Sequence, residues 1–226
     1  MIALTSGAGL CRVEGLLALA PAQAVFELGA GPDVIRDIFA AVHAVNRHAP
    51  SDDYLALALP EMVSGRGFDA LGRSVEVFGS ERALSRLMTE AQFRKLLSRG
   101  MLPSRQRIRE INFAEGDCGT WLARTRSGEK ESEGWKAKDA RRRERRADHI
   151  ASVAGRFPDA QAAERADRKR DLYLRLPSGV FLAMRRGVAP WTGQPVIVSS
   201  YGLSQESAPS VLPSRPVTVK RLHEVA

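Results

Sequence analysis

Residues 33–60 read DVIRDIFAAVHAVNRHAPSDDYLALALP, and the periods within them decide the fold class. Ile35, Ile38, Phe39 and Val42 recur at the three- and four-residue spacing of an amphipathic helix, with Asp33 placed to cap its start. Residues 54–59 then form a short apolar strand that ends at Pro60. Upstream, 13–19 and 24–28 read as extended, with turn signals at Pro21 and at 29–32, Gly-Ala-Gly-Pro. Downstream, 73–78 sets Val75 and Val77 against Glu76, the alternation of a half-buried strand. Ser80 opens a helix carrying Leu84 and Leu87, and Thr89 with Gln92 forms a capping box for another that ends at Gly100. Strand–helix–strand–strand–helix–strand is the ferredoxin-like order. It predicts an α+β fold, a helical layer on an antiparallel sheet.

The second half is organised differently. Residues 116–134 are rich in Gly, Ser, Thr and charge and read as a linker. A long helix is expected over 133–157, stopped by Pro158, and a further one within 159–170. Strands at 173–176 and 180–185 are joined by Pro177-Ser178-Gly179, and a strand over 194–200 runs into Tyr201-Gly202-Leu203-Ser204. The tail from Ser207, with three prolines, reads as irregular. The expected organisation is a ferredoxin-like domain at 1–115, a linker at 116–134, and a C-terminal α/β domain at 135–226 with a projecting arginine-rich helix.

The chain has 226 residues and a net charge of +8, 34 Lys+Arg against 26 Asp+Glu, with 44% hydrophobic residues. That composition excludes wholesale disorder and supports a real core. The charge is unevenly placed. Residues 1–100 hold 10 basic and 11 acidic side chains, 101–170 hold 18 and 12, and 171–226 hold 6 and 3. A neutral first half joined to a basic second half suits a polyanion partner. Cys11 and Cys118 form neither a disulfide framework nor a metal knuckle. The apolar stretch 15–26 is broken by Pro21 and lacks a basic flank, so a soluble cytoplasmic protein without membrane contact is expected.

Lys138, Arg141, Arg142, Arg145 and Arg146 fall at i, i+3, i+4, i+7 and i+8, five cations on one helical face. Like charges at that spacing repel, so the stripe suits an anion in front of it better than a bare solvated face. The same face turns apolar at Ile150, Val153, Ala154 and Phe157, which would dock the helix by its second half. Guanidinium forks bind phosphates and guanine edges bidentately, which points to a nucleic-acid duplex. His149, directly after the stripe, is a further candidate phosphate contact. Arg124 and Arg126, at i and i+2 in the linker, would both reach a base edge from an extended backbone; ordinary loop charge is the alternative.

No P-loop, strand-linked GxGxxG, HExxH or paired Cys/His zinc spacing occurs, and no cofactor or metal is expected. His43 follows Phe39 and Val42 near the end of the first helix, with Arg47 one turn on. An RNA substrate gives a lone histidine a task. The ribose 2′-OH lies beside the scissile phosphate, and a base near neutral pKa, groups that align the attack, and cations for the phosphorane suffice. The products would be a 2′,3′-cyclic phosphate and a 5′-OH.

In order along the chain, residues 38–43 (Ile-Phe-Ala-Ala-Val-His) precede a strand ending Leu59-Pro60. Leu71-Gly72-Arg73 and a strand then lead to Gly79-Ser80. Arg124-Thr125-Arg126 comes before residues 141–146 (Arg-Arg-Arg-Glu-Arg-Arg), and Tyr201-Gly202-Leu203-Ser204 closes the set. Over roughly residues 10–205 this set resembles the CRISPR repeat-processing endoribonucleases, in particular the type I-F branch, with the related type IV processing protein a second possibility. The resemblance implies a ferredoxin-like N-terminal domain and an arginine helix in the groove of a repeat hairpin. It also implies metal-independent cleavage at the stem base and retention of the product as a subunit of the effector complex. By position, His43 matches the catalytic histidine, Tyr201 a tyrosine that orients it, and Arg124 and Arg126 residues that read the lower stem. The family's serine follows an Arg in the strand-turn after the second helix; here Leu176 follows Arg175, so either the turn is shortened and Ser178, the nearest serine, substitutes, or that role is missing. The arginine cluster is one residue shorter than the type I-F pattern and the linker and tail are longer, which favours a divergent branch. A non-cleaving hairpin-binding subunit of the complex and a general basic nucleic-acid-binding protein are the alternatives.

Overall fold

The apolar face of 33–60 closes onto a sheet that is covered on both sides. The computed structural model describes residues 7–65, 68–125, 141, 172–177, 181–193, 195–205 and 207–216. In chain order its elements are β1 (Ala8–Cys11), β2 (Gly15–Leu19), α1 (Gln23–Glu27), α2 (Gly31–His48), β3 (Ala56–Ala58), β4 (Val63–Gly65), β5 (Phe68–Ala70) and β6 (Val75–Gly79). There follow α3 (Glu81–Thr89), α4 (Ala91–Ser98), β7 (Arg109–Glu110), β8 (Cys118–Thr125), β9 (Leu172–Arg175), β10 (Phe181–Pro190), β11 (Val196–Ser199) and β12 (Ser204–Gln205). The fold is mixed α+β.

One four-stranded sheet has the order β3-β6-β2-β7, every pair antiparallel. Ile35, Ile38, Phe39 and Val42 of α2, with Leu84, Leu87, Phe93 and Leu96 of α3 and α4, pack on its Leu17, Leu19, Leu57, Val75 and Val77. The other face, through Ala56, Ala58 and Phe78, packs against Cys11, Val196 and Val198 of the antiparallel β1–β11 ribbon. Burial on both faces is why 54–59 reads as a continuous apolar run rather than an alternation.

A second four-stranded sheet has the order β12-β8-β10-β9, with β12 parallel to β8 and the other pairs antiparallel. Its Leu122, Leu174, Leu182 and Met184 belong to the same buried cluster as α2. Arg186 of β10 donates to the carbonyls of Leu59 and Pro60, fastening this sheet to the end of β3.

Several expectations change. Residues 24–28 are not extended: 23–27 form the one-turn α1, closed by Gly29 at φ +74° and the Ala30 N–H to Val25 bond of 2.9 Å. Helix α2 begins at Gly31 without a side-chain cap; Pro32, whose fixed φ suits a first turn, and Asp33 lie inside it. Glu90, not Thr89, caps α4 by accepting from the Phe93 N–H at 2.9 Å, while Thr89 ends α3 and donates back to Ser85 and Arg86 carbonyls. The expected linker is a core strand over Cys118–Thr125, where Leu122 and Ala123 are buried. Its remaining part, 126–134, lies outside the described residues, as does the arginine helix apart from Arg141, which is helical and exposed.

Ser80 performs its expected role and one more. Its hydroxyl accepts from the Ala83 N–H at 3.0 Å and donates to Asp53 at 2.5 Å, and Arg86 joins the same carboxylate at 2.7 Å. Ser80→Ala is expected to lower unfolding free energy by about 1–2 kcal/mol, read as a shift in urea midpoint with unchanged m-value; an unchanged midpoint would count against this cap.

Candidate functional site

Three elements converge on one ring stack. His43 lies near the end of α2, half-buried, four residues after Phe39 on the face that meets the sheet. Tyr201 occupies the turn between β11 and β12. Its ring lies parallel to the imidazole, centroids 4.0 Å apart and planes 6° from parallel. Arg124 of β8 places its guanidinium carbon 5.5 Å from the centre of the tyrosine ring, a cation–π distance.

Side-chain and backbone hydrogen bonds hold these partners in register. Asn46 is fully buried one turn beyond His43; its amide donates to the Leu55 carbonyl at 3.0 Å and accepts from the Leu55 N–H at 2.8 Å. Two residues on, the Leu57 N–H donates to the Gly202 carbonyl at 2.9 Å. Gly202 sits at φ +74°, and a Cβ there would meet the Leu55 carbonyl oxygen at 3.1 Å and Leu57 and Val42 carbons at 3.2 Å. Both the left-handed conformation and the close approach therefore call for glycine. The Gly202 N–H to Ser199 bond of 2.8 Å tightens the turn. Ser204 donates to the Leu122 carbonyl at 3.1 Å, and β12 pairs with β8 so that Gln205 stands opposite Arg124. The ring stack thus inherits its geometry from sheet register.

The electrostatics suit proton transfer. His43 is held below its ordinary pKa of 6.5, chiefly by burial and further by the Arg47 cation, with the Ser200 carbonyl opposing. The imidazole is therefore mostly neutral at neutral pH. Its Nδ1 is buried and has no hydrogen-bond partner among the described residues. Arg47 follows His43 by four residues and is exposed.

Of the residues expected to act, His43, Tyr201 and Arg124 come together; Arg141 is exposed. Ser178, Arg126, Lys138, Arg142, Arg145, Arg146 and His149 lie outside the described residues. Sequence reasoning missed Asn46, whose signal was an amide at i+4 from Val42 on an otherwise apolar face, and it noted Arg47 without assigning it a role. A groove of about 550 Å³ between α2 and α4 is lined by Asp33 and Asp37 facing Lys95 and Arg99, and none of the stacked residues borders it. Among the described residues no cluster of His, Cys, Asp and Glu could hold a metal, and no helix is long and apolar enough to cross a membrane.

Comparison of the chain with protein-family models and with curated proteins gives no match.

The histidine supplies a direct check. Proton NMR is expected to place the His43 midpoint below 6.5, and Arg47→Gln to raise it. Because the folded value is the lower one, the unfolded chain binds the proton first as pH falls. The stability this site contributes is therefore present above the unfolded value and lost as pH drops through the folded one. A midpoint above 6.5, or one unmoved by Arg47→Gln, would contradict the environment described.

Proposed function

We propose that the chain is an endoribonuclease that cuts CRISPR repeat hairpins in precursor RNA and stays on the product stem-loop as a subunit of the effector complex. The observation that carries this reading is the His43–Tyr201 stack with Arg124 beside it, a neutral imidazole placed among cations. His43 takes the proton from the 2′-OH, and the 2′-oxygen attacks the adjacent phosphorus. The bond to the 5′-oxygen breaks and that oxygen takes a proton from solvent, leaving a 2′,3′-cyclic phosphate and a 5′-OH. Tyr201 orients the imidazole by stacking on it. Arg124 and Arg47 supply positive charge for the phosphorane, the kind of term worth about two to three orders of magnitude in rate per group.

The strand order β3-β6-β2-β7, with α2 following β2 and α3–α4 following β6, supports assigning the N-terminal unit to a ferredoxin-like arrangement. The grip is assigned to the arginine helix, with Lys138, Arg141, Arg142, Arg145, Arg146 and His149 on the stem and Arg126 on its lower end. Ser178 is the candidate for the family's serine. A cytoplasmic ribonucleoprotein is the corresponding setting.

Labelled hairpin repeat incubated with the protein in EDTA tests the reading. Cleavage is expected with wild type and is abolished by His43→Ala, which still binds. Reversal of Arg142 and Arg145 to Glu is expected to abolish hairpin binding while leaving the melting temperature within about 2 °C. Tight binding without any cut would favour the non-cleaving subunit instead. Equal affinity for duplex DNA and the RNA hairpin would leave only a general nucleic-acid binder.

A further inference from the structure

Residues 105–109, Arg-Gln-Arg-Ile-Arg, lead into the two-residue edge strand β7 and expose every second side chain. Arg105, Arg107 and Arg109 are exposed, whereas Gln106 and Ile108 are half-buried. The inner positions are anchored. Ile108 packs on the main core, and Gln106 donates to the Pro103 carbonyl at 2.7 Å. This alternation turns the three guanidinium side chains to the solvent side of the segment. Arg105 and Arg107 make no salt bridge among the described residues; Arg109 lies within electrostatic reach of Glu76, and Glu110 is exposed beside it.

Four residues beyond Arg109 the same segment reaches an aromatic cluster. Phe113 meets Trp191 edge-to-face, centroids 6.2 Å apart and planes at 83°, and the Arg215 guanidinium lies 5.4 Å from the Phe113 ring centre. Both rings are half-buried, so part of each faces solvent. Charges on an edge strand block edge-to-edge pairing even without a ligand, but that task requires no aromatic neighbours. A line of cations leading to partly open rings is the combination that holds single-stranded nucleic acid, with phosphates on the charges and bases on the rings.

We propose that this strip binds unpaired RNA, Arg105, Arg107 and Arg109 on successive phosphates and the Phe113–Trp191–Arg215 cluster against a base. Resting on the RNA reading above, it takes the strand that flanks the hairpin. The task is separate from the stem grip of the arginine helix and from the chemistry at His43.

The test uses the full chain with two probes, a labelled 12-nucleotide oligouridine and the repeat hairpin trimmed of its flanks, titrated by anisotropy at several salt concentrations. Wild type is expected to bind the oligouridine. Arg105→Gln with Arg107→Gln is expected to weaken that binding about tenfold and to reduce the salt slope by about 1.4, near 0.7 per lost phosphate contact. Trimmed-hairpin affinity and the thermal melt stay unchanged. Oligouridine should also change tryptophan fluorescence in wild type, a signal lost in Trp191→Phe. The proposal is overturned if wild type ignores the oligouridine, if the double variant binds it equally well, or if the trimmed hairpin is weakened as much. It is equally overturned if an oligoglutamate of the same length competes as well, which marks an acidic-protein surface. Cleavage enters none of these readouts. An uncut hairpin with strip-dependent oligouridine binding refutes the nuclease alone, and a cut hairpin with strip-independent binding refutes the strip alone.

Discussion

The parallel contact between His43 and Tyr201 is the constraint on which the site depends, because neither ring can be placed without the other's element. The imidazole is carried by α2 and the phenol by a turn some 150 residues later in the chain. What joins them is hydrogen bonding through residues 55–57: the Asn46 side chain to both backbone polar groups of Leu55, then the Leu57 N–H to Gly202. Such a chain of short, buried bonds is stiff. Breaking any link leaves a buried polar group unpaired, at a cost of about 1–3 kcal/mol. The same burial that makes the links strong lowers the basicity of His43 by disfavouring its charged form. Positioning and proton affinity therefore have one physical origin.

That dependence also explains the topology. The β1–β11 ribbon brings residues 196–199 across the face of the sheet opposite the helices, and β12 then pairs with β8. Arg124 is delivered by that pairing, and Arg186 fastens the second sheet to the end of β3. A continuous core from α2 to Met184 and Leu203 joins the described elements of both sheets around the stack.

Much of this was legible in the residues. Helix α2, β3, β6 and the Ser80 cap follow from periodicity and from the local chemistry of a hydroxyl before a helix. The position of His43 after Phe39 was legible from helical spacing, but a catalytic role for it came only from an RNA substrate and the family resemblance. The misreadings share a cause: local signals were outweighed by tertiary partners. Residues 118–125 carry Gly, Thr and Arg among their apolar residues and suggest a loop, yet pairing on both sides with β10 and β12 makes them a strand. Residues 24–28 look extended until the positive φ of Gly29 closes them into a turn. Asn46 was invisible as a site residue because its importance is a bond to a strand nine positions on, which no periodicity reports.

The division of labour that results is physical rather than sequential. In the proposed scheme exposed cations attract the RNA, while the near-neutral first hundred residues hold His43, half-buried and with the Arg47 cation one turn on. The central claim is that His43 serves a 2′-hydroxyl. The most direct measurement replaces the single nucleotide preceding the scissile phosphate with its 2′-deoxy analogue and follows single-turnover cleavage in EDTA. The account predicts that the substituted hairpin binds like the all-ribose one and is not cut, whereas cleavage at an undiminished rate would contradict it.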